Sequence, residues 1–157
     1  EYVYDYLSRL GYINYEFSSF AKPGYECKNN VTYWNRGKYI GFGPSAHSFD
    51  GIKRKWNISN NQKYIEKIKL NSIAYESEIL SETDILNEII MIGLRTSKGL
   101  DLDLIESKFS NLNLEKLRQQ IQLKILDGVL VKTDNKLHPS RDYKFLTDGL
   151  ASDLFIT

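Results

Sequence analysis

Two rhythms of hydrophobic and polar positions divide the 157-residue chain. From about residue 80 onward, apolar residues recur at the three- and four-residue spacing of a helix. Ser81 and Asp84 resemble a short-acid capping box ahead of Ile85, Leu86, Ile89, Ile90, Ile92 and Leu94, which predicts a helix buried on more than one stripe. Asp101 is placed to cap a short helix reaching Phe109, with Leu104 and Ile105 turned inward. Asn113 opens a third helix carrying Leu114, Leu117, Ile121 and Ile125, and Gly128 sits just past its end, where a left-handed residue is wanted. Residues 129–133 and 136–138 flank Asp134-Asn135, a hairpin signal. Thr147 is expected to cap a closing helix with Leu150, Leu154 and Phe155. Three helices, a hairpin and a helix is the order of a winged-helix-like unit.

The first half is richer in alternation and in turns. Residues 1–11 read as the end of a helix with a glycine stop at Gly11, entered without a cap. Met91 is the only methionine, so the chain is expected to be a piece of a longer protein. Residues 12–17 alternate and predict a strand, which Pro23-Gly24 breaks with a turn. Residues 39–43 predict a second strand running into a loop over 44–49, and residues 54–58 a third. Asn60 or Asn61 caps a helix through about residue 70, with Tyr64, Ile65 and Ile68 on one face. Nine of the 11 tyrosines, both tryptophans and six of the 10 glycines lie within residues 1–64. That shift predicts two domains, 1–75 and 76–157.

Composition then narrows the function classes. Hydrophobic residues make up 41% and charged residues 26%, enough to form a core. Lys plus Arg total 21 against 20 Asp plus Glu, a net charge of +1, which speaks against binding nucleic acid by bulk charge and against a polybasic membrane anchor. No apolar run approaches the roughly 20 residues of a spanning helix. The single cysteine, Cys27, rules out a disulfide framework or an all-cysteine metal cage within the chain and suggests a reducing, cytoplasmic setting.

Several residues carry potential chemistry. Gly41-Phe42-Gly43-Pro44-Ser45-Ala46 lets backbone approach a ligand, yet it lacks a third glycine, and Pro44 removes an N–H. A lone Gly-x-Gly is weak evidence, and a tight strand exit is the plainer reading. His47 in that loop is a possible metal or heme-iron ligand or a hydrogen-bonded structural residue, and His138 reads as a surface residue of the hairpin. Cys27 beside Lys28 has no histidine near it in sequence to act as a base. Tyr33 and Trp34 can stack on a flat macrocycle or fill a core. The third helix carries Lys116, Arg118 and Lys124, offset by Glu115 and Asp127, so a nucleic-acid face competes with a plain solvated one.

Residues 15–27, Tyr33-Trp34 and residues 39–49 strongly resemble the C-terminal part of the oxygen-independent coproporphyrinogen III oxidase family of radical S-adenosylmethionine (SAM) proteins, on its heme chaperone branch. The resemblance extends to Gly93-Leu94-Arg95 with Gly99-Leu100, to Asp127-Gly128, and to Leu146-Thr147 with Gly149, nearly the whole chain. It implies an α+β fold: terminal elements of a radical SAM (β/α) partial barrel followed by a helical winged-helix-like C-terminal domain. A parent protein would carry an upstream Cys-x3-Cys-x2-Cys loop holding a [4Fe–4S] cluster and SAM, and its partners would be porphyrin or heme and that radical SAM domain. In the oxidase branch the loop matching residues 41–48 lies near SAM, which makes Gly43, Ala46 and His47 candidate cofactor contacts. The chaperone branch carries a His-Asn-x-x-Tyr-Trp motif whose histidine is proposed to bind heme. Asn30, Tyr33 and Trp34 fit it, but Asn29 stands at the histidine position, and an amide is a poor iron ligand. The fragment itself is expected to be non-catalytic. The alternatives are a winged-helix module gripping nucleic acid or a protein partner, and a purely structural tail shielding the cofactor cavity.

Overall fold

The structure, a computed structural model, describes residues 2–110 and 113–157; Glu1, the first residue of the predicted helix end, lies outside them. Helix α1 (Tyr2–Arg9) leads into strands β1 (Ile13–Glu16) and β2 (Ser19–Ala21). Helix α2 (Lys28–Trp34), strands β3 (His47–Phe49) and β4 (Lys53–Asn57), helix α3 (Asn61–Lys69) and strand β5 (Tyr75–Ile79) follow. Next come helix α4 (Glu82–Arg95), strand β6 (Leu100–Asp101), and helices α5 (Leu102–Lys108) and α6 (Glu115–Leu126). Strands β7 (Leu130–Thr133) and β8 (Lys136–Pro139), a 3-10 helix (Arg141–Leu146) and helix α7 (Thr147–Asp153) end the chain. The fold is α+β as expected, with no closed barrel among the described residues.

Two compact units emerge: residues 1–27 together with 82–157, and residues 28–81. This grouping differs from a linear division at residue 75, for a local reason in each case. Glu16 bridges Thr96, and the Ser97 N–H donates to the Tyr15 carbonyl at 3.1 Å, tying the first hairpin to the end of α4. β5 pairs along all of β4, which keeps residues 75–79 with the Tyr- and Gly-rich segment.

The first unit holds the larger core. Leu86, Ile90 and Leu94 of α4 pack with Ile105, Phe109, Leu117, Ile121, Leu137 and Leu154, each burial stabilising by about 1.5–3 kcal/mol. Gly93 allows Leu100 close to the helix: a Cβ there would stand 2.7 Å from the Leu100 Cα. The antiparallel sheet order β6-β8-β7 gives the winged-helix-like order its wing. Asp134 and Asn135 both take left-handed φ values, 48° and 65°, as the tight hairpin turn requires. The Asp101 carboxylate accepts from the Leu104 N–H at 3.0 Å, the predicted cap. Leu104, however, is exposed and only Ile105 of that pair is buried, because a seven-residue helix turns one narrow stripe to the core. Helix α6 begins at Glu115, and Asn113 reaches it from just outside, accepting from the Glu115 N–H at 3.1 Å. Thr147 is the first helical residue rather than the cap of α7: it is buried, and its hydroxyl donates to the Lys144 carbonyl at 2.5 Å.

The second unit is a three-stranded antiparallel sheet, β3-β4-β5, with helices α2 and α3. Asn60 caps α3 by accepting from the Lys63 N–H at 2.9 Å. Residues 39–43 do not form the predicted strand. Tyr39 makes a single bridge to Phe49, and the chain then folds back, with Gly43 at φ 95° and Ser45 at φ 61°, before β3 starts at His47. Two positive-φ residues in so short a stretch cannot stay in an extended ladder. Phe49, Ala74 and Leu80 are the buried hydrophobic residues of this unit, whereas Ile40, Phe42, Leu70 and Ile79 are exposed.

Candidate functional site

The six residues suggested by the sequence all fall in the second unit, on helix α2, on the glycine loop and at the start of β3. Helix α2 carries Asn30, Tyr33 and Trp34 and ends in a left-handed turn at Arg36, φ 52°, where the Gly37 N–H donates to the Thr32 carbonyl at 2.8 Å. That turn brings Tyr33 edge-on to Tyr39, ring centroids 4.8 Å apart, and Tyr39 continues to Phe49 at 6.2 Å. The Arg36 guanidinium lies 5.3 Å over the Phe49 ring, and burial, then the charge of Arg54, holds its pKa below the ordinary value. Tyr33 and Tyr39 thus join the helix to the glycine loop.

The loop itself is braced. A Cβ on Gly41 would collide with the His47 carbonyl, so only glycine fits there, and the Gly41 N–H donates to Ser48 Oγ at 3.0 Å. The Gly43 carbonyl accepts from Asn57 Nδ2 at 2.8 Å, and the Ala46 carbonyl from the Asn57 N–H at 2.9 Å. His47 is exposed on β3 opposite Trp56. Gly43 and Ala46 therefore set the loop's course, while His47 presents an imidazole to solvent.

Beside this loop lies a concavity of about 550 Å³ lined by Lys38, Tyr39, Ile40, Ser48, Phe49, Asp50, Lys53 and Lys55. Ser48 is its one member from residues 41–48, and none of the six suggested residues lines it. Tyr39 and Phe49 supply apolar wall, and three lysines face one carboxylate. Asp50 accepts from the Lys53 and Ile52 N–H groups at 2.8 and 3.1 Å, which hold its carboxyl below the usual range, with smaller help from Lys55 and Lys38. Sequence reasoning missed these lysines. The available signal was Lys53-Arg54-Lys55 in a strand, which puts Lys53 and Lys55 on one sheet face.

A second concavity, about 630 Å³, belongs to the first unit. Its lining includes His138, half-buried rather than a plain surface residue, because its imidazole packs against Gly99. Burial first, then Lys136, lowers the His138 pKa. Two of the three cationic side chains of α6 are matched elsewhere: Arg118 forks onto Glu106 at 2.6 and 2.7 Å, and Lys124 meets Asp153 at 2.6 Å. Cys27 is exposed, and no group of three His, Cys, Asp or Glu side chains among the described residues gathers to hold a metal. That donor set does not fit an iron–sulfur cluster. No helix among the described residues is long and apolar enough to cross a membrane.

Comparison with known proteins gives a consistent picture. The family model of the HemN C-terminal domain matches residues 80–142. The heme chaperone HemW of Lactococcus lactis is 32% identical over 137 residues, 87% of this chain and 35% of that protein. The heme chaperone HemW of Bacillus subtilis is 34% identical over 111 residues, 69% of this chain and 29% of its own length. The chain therefore spans about a third of the length of the curated relatives it matches. Among solved structures, the radical SAM enzyme coproporphyrinogen III oxidase (HemN) from Escherichia coli matches 98% of this chain and 39% of its own, with a TM-score of 0.74 at 16% identity, a likeness of fold. The chain is thus similar to the HemN C-terminal domain over residues 80–142 and, over most of its length, to part of two proteins that both bear the heme chaperone name.

Proposed function

We propose that the chain is the tetrapyrrole-handling part of a radical SAM heme chaperone or coproporphyrinogen III oxidase-like protein, with no catalysis of its own. The cluster and SAM belong, in this reading, to an upstream domain in a cytoplasmic parent. In place of a single boundary at residue 75, residues 1–27 supply its last barrel elements, residues 28–81 its cavity-side segment, and residues 82–157 its winged-helix-like domain. The observation that carries the reading is the concavity beside residues 41–48. There Tyr39 and Phe49 offer apolar wall to a macrocycle, and Lys38, Lys53 and Lys55 offer charge to its carboxylate arms. Heme is cargo here, not a resident group. With Asn29 unsuited to iron, exposed His47 is the imidazole in this unit available as an axial ligand.

Titrating heme into the chain and recording difference absorbance tests this. A Soret change is expected, weakened when Lys53 and Lys55 are both changed to Glu and moved in position by His47→Ala. No Soret change in the unmodified chain retires the reading. The winged-helix order alone suggests nucleic acid, but the Glu106 and Asp153 partners of Arg118 and Lys124 remove the clustered positive face such binding needs. The tetrapyrrole reading is therefore the stronger.

A further inference from the structure

We propose that the cleft of the first unit binds a small organic anion, a flat ring carrying a phosphate or carboxylate group, with Lys144 as the charge that receives it. At about 630 Å³ the cleft lies within the roughly 300–1,000 Å³ typical of small-ligand sites. Arg95, Arg141, Lys144 and His138 all line it, and no Asp or Glu is among its lining residues. The two arginines are held in place by carboxylates set outside the lining. Arg95 meets Asp148 at 2.8 Å, and Arg141 Nη2 donates to both oxygens of Asp5 at 2.7 and 2.8 Å.

Lys144 differs from both. Among the described residues no carboxylate pairs with it; its ammonium lies 4.2 Å over the Tyr4 ring. It is half-buried, and burial lowers its pKa, the mark of a cation short of compensating charge. An arriving oxyanion would supply that charge through hydrogen bonds stronger than neutral ones. Walls of flat apolar surface complete the site. Phe17 and Phe145 stand edge to face at 6.2 Å, the Arg95 guanidinium lies 5.3 Å over Phe17, and Tyr12 adds a further ring to the lining. Aromatic walls favour a planar ligand over a bare ion. This site lies in the other unit from the tetrapyrrole reading and does not depend on it.

Pyridoxal 5′-phosphate is a fitting probe, because it joins a flat ring to a phosphate and its aldehyde condenses with a lysine amine, releasing water. Borohydride reduction fixes the resulting imine, and peptide mass spectrometry locates it. Labelling at Lys144 is expected to exceed that at exposed Lys116 and Lys132 and to fall when excess phenyl phosphate or benzoate is present. Protection by phenyl phosphate assigns a phosphate ligand, and protection by benzoate a carboxylate. The competitors matter, since a low-pKa amine alone would react without being protected. Calorimetry of the protecting anion with Lys144→Met should then show at least about tenfold weaker binding, and Lys144→Arg should retain it. Labelling of Lys144 no greater than of Lys116, or labelling that neither anion suppresses, overturns the proposal.

Discussion

At the scale of single residues, two glycines separate crowding from backbone strain. Gly99 has φ 75°, and a Cβ there would enter the space of the His138 ring; Gly128 has φ 71° with open space around it. Gly128→Ala therefore meets only the left-handed penalty, about 1–2 kcal/mol. Gly99→Ala meets that penalty and must also displace an imidazole, so it should cost more, roughly 2–4 kcal/mol by urea denaturation. Equal losses would mean that the His138 contact contributes nothing. The same histidine gives a pH signature. Its folded pKa lies below the unfolded value of about 6.5, so as pH falls through that value the unfolded chain takes up a proton that the folded chain resists. This contribution to stability is complete above pH 6.5 and is lost on acidification. The drop in melting temperature between pH 8 and pH 5.5 should be smaller in His138→Gln than in the unmodified chain. Gly128 was legible in the sequence because a stop follows its own helix. The burial of His138 was not, because Gly99 lies 39 positions away and only the pairing of β6 with β8 brings the two strands together.

Elements were legible where a local signal fixed them. Asp101 and Asn60 each accept from the N–H three residues on, so Asp101→Ala and Asn60→Ala should each lower stability by about 1 kcal/mol in chemical denaturation. An unchanged midpoint for Asp101→Ala would show that the α5 cap is idle. The hairpin turn Asp134-Asn135 was readable for the same reason, since few residues accept two successive left-handed conformations. Asn135→Gly, at φ 65°, relieves that strain at the expense of a more flexible unfolded chain and should change stability by less than about 1 kcal/mol, whereas a β-branched residue there should be clearly destabilising. Six elements escaped notice, β2, α2, β3, β5, β6 and the 3-10 helix, and three of them show why. The seven residues of α2 show no long periodic face, and its end is set by a left-handed arginine. All five residues of β5 are exposed, so no buried face writes an alternation into the sequence. The 3-10 helix that carries Lys144 has no buried residue. The site suffered similarly: the loop and its aromatic neighbours were readable from residue type, but Lys38, Lys53 and Lys55 meet only through strand pairing and the Tyr39 bridge.

Across the whole molecule, burial is uneven between the two units. The first contains an extended cluster running from Leu86 to Leu154, whereas the second buries Phe49, Ala74 and Leu80 and leaves all of β5 open. Local stability follows buried apolar area, since backbone hydrogen bonds on an exposed strand are opened at little expense. Amides of residues 75–79 and 47–57 should therefore exchange with solvent deuterium well before those of α4 and α6. In mild urea residues 28–81 should lose protection first. Equal protection in both units would mean that the thinly buried sheet draws stability from something other than its own core. The same unevenness bears on function. A segment of low local stability gains most from whatever binds it, because ligand binding stabilises the folded form by mass action. If residues 28–81 present a tetrapyrrole surface, heme should slow exchange in β3, β4 and α2 while leaving α4 and α6 unchanged. An anion in the other cleft should instead protect residues 141–146 and leave the second unit alone. Exchange measured with each ligand separately thus tells the two sites apart, and protection of the same peptides by both would merge them into one.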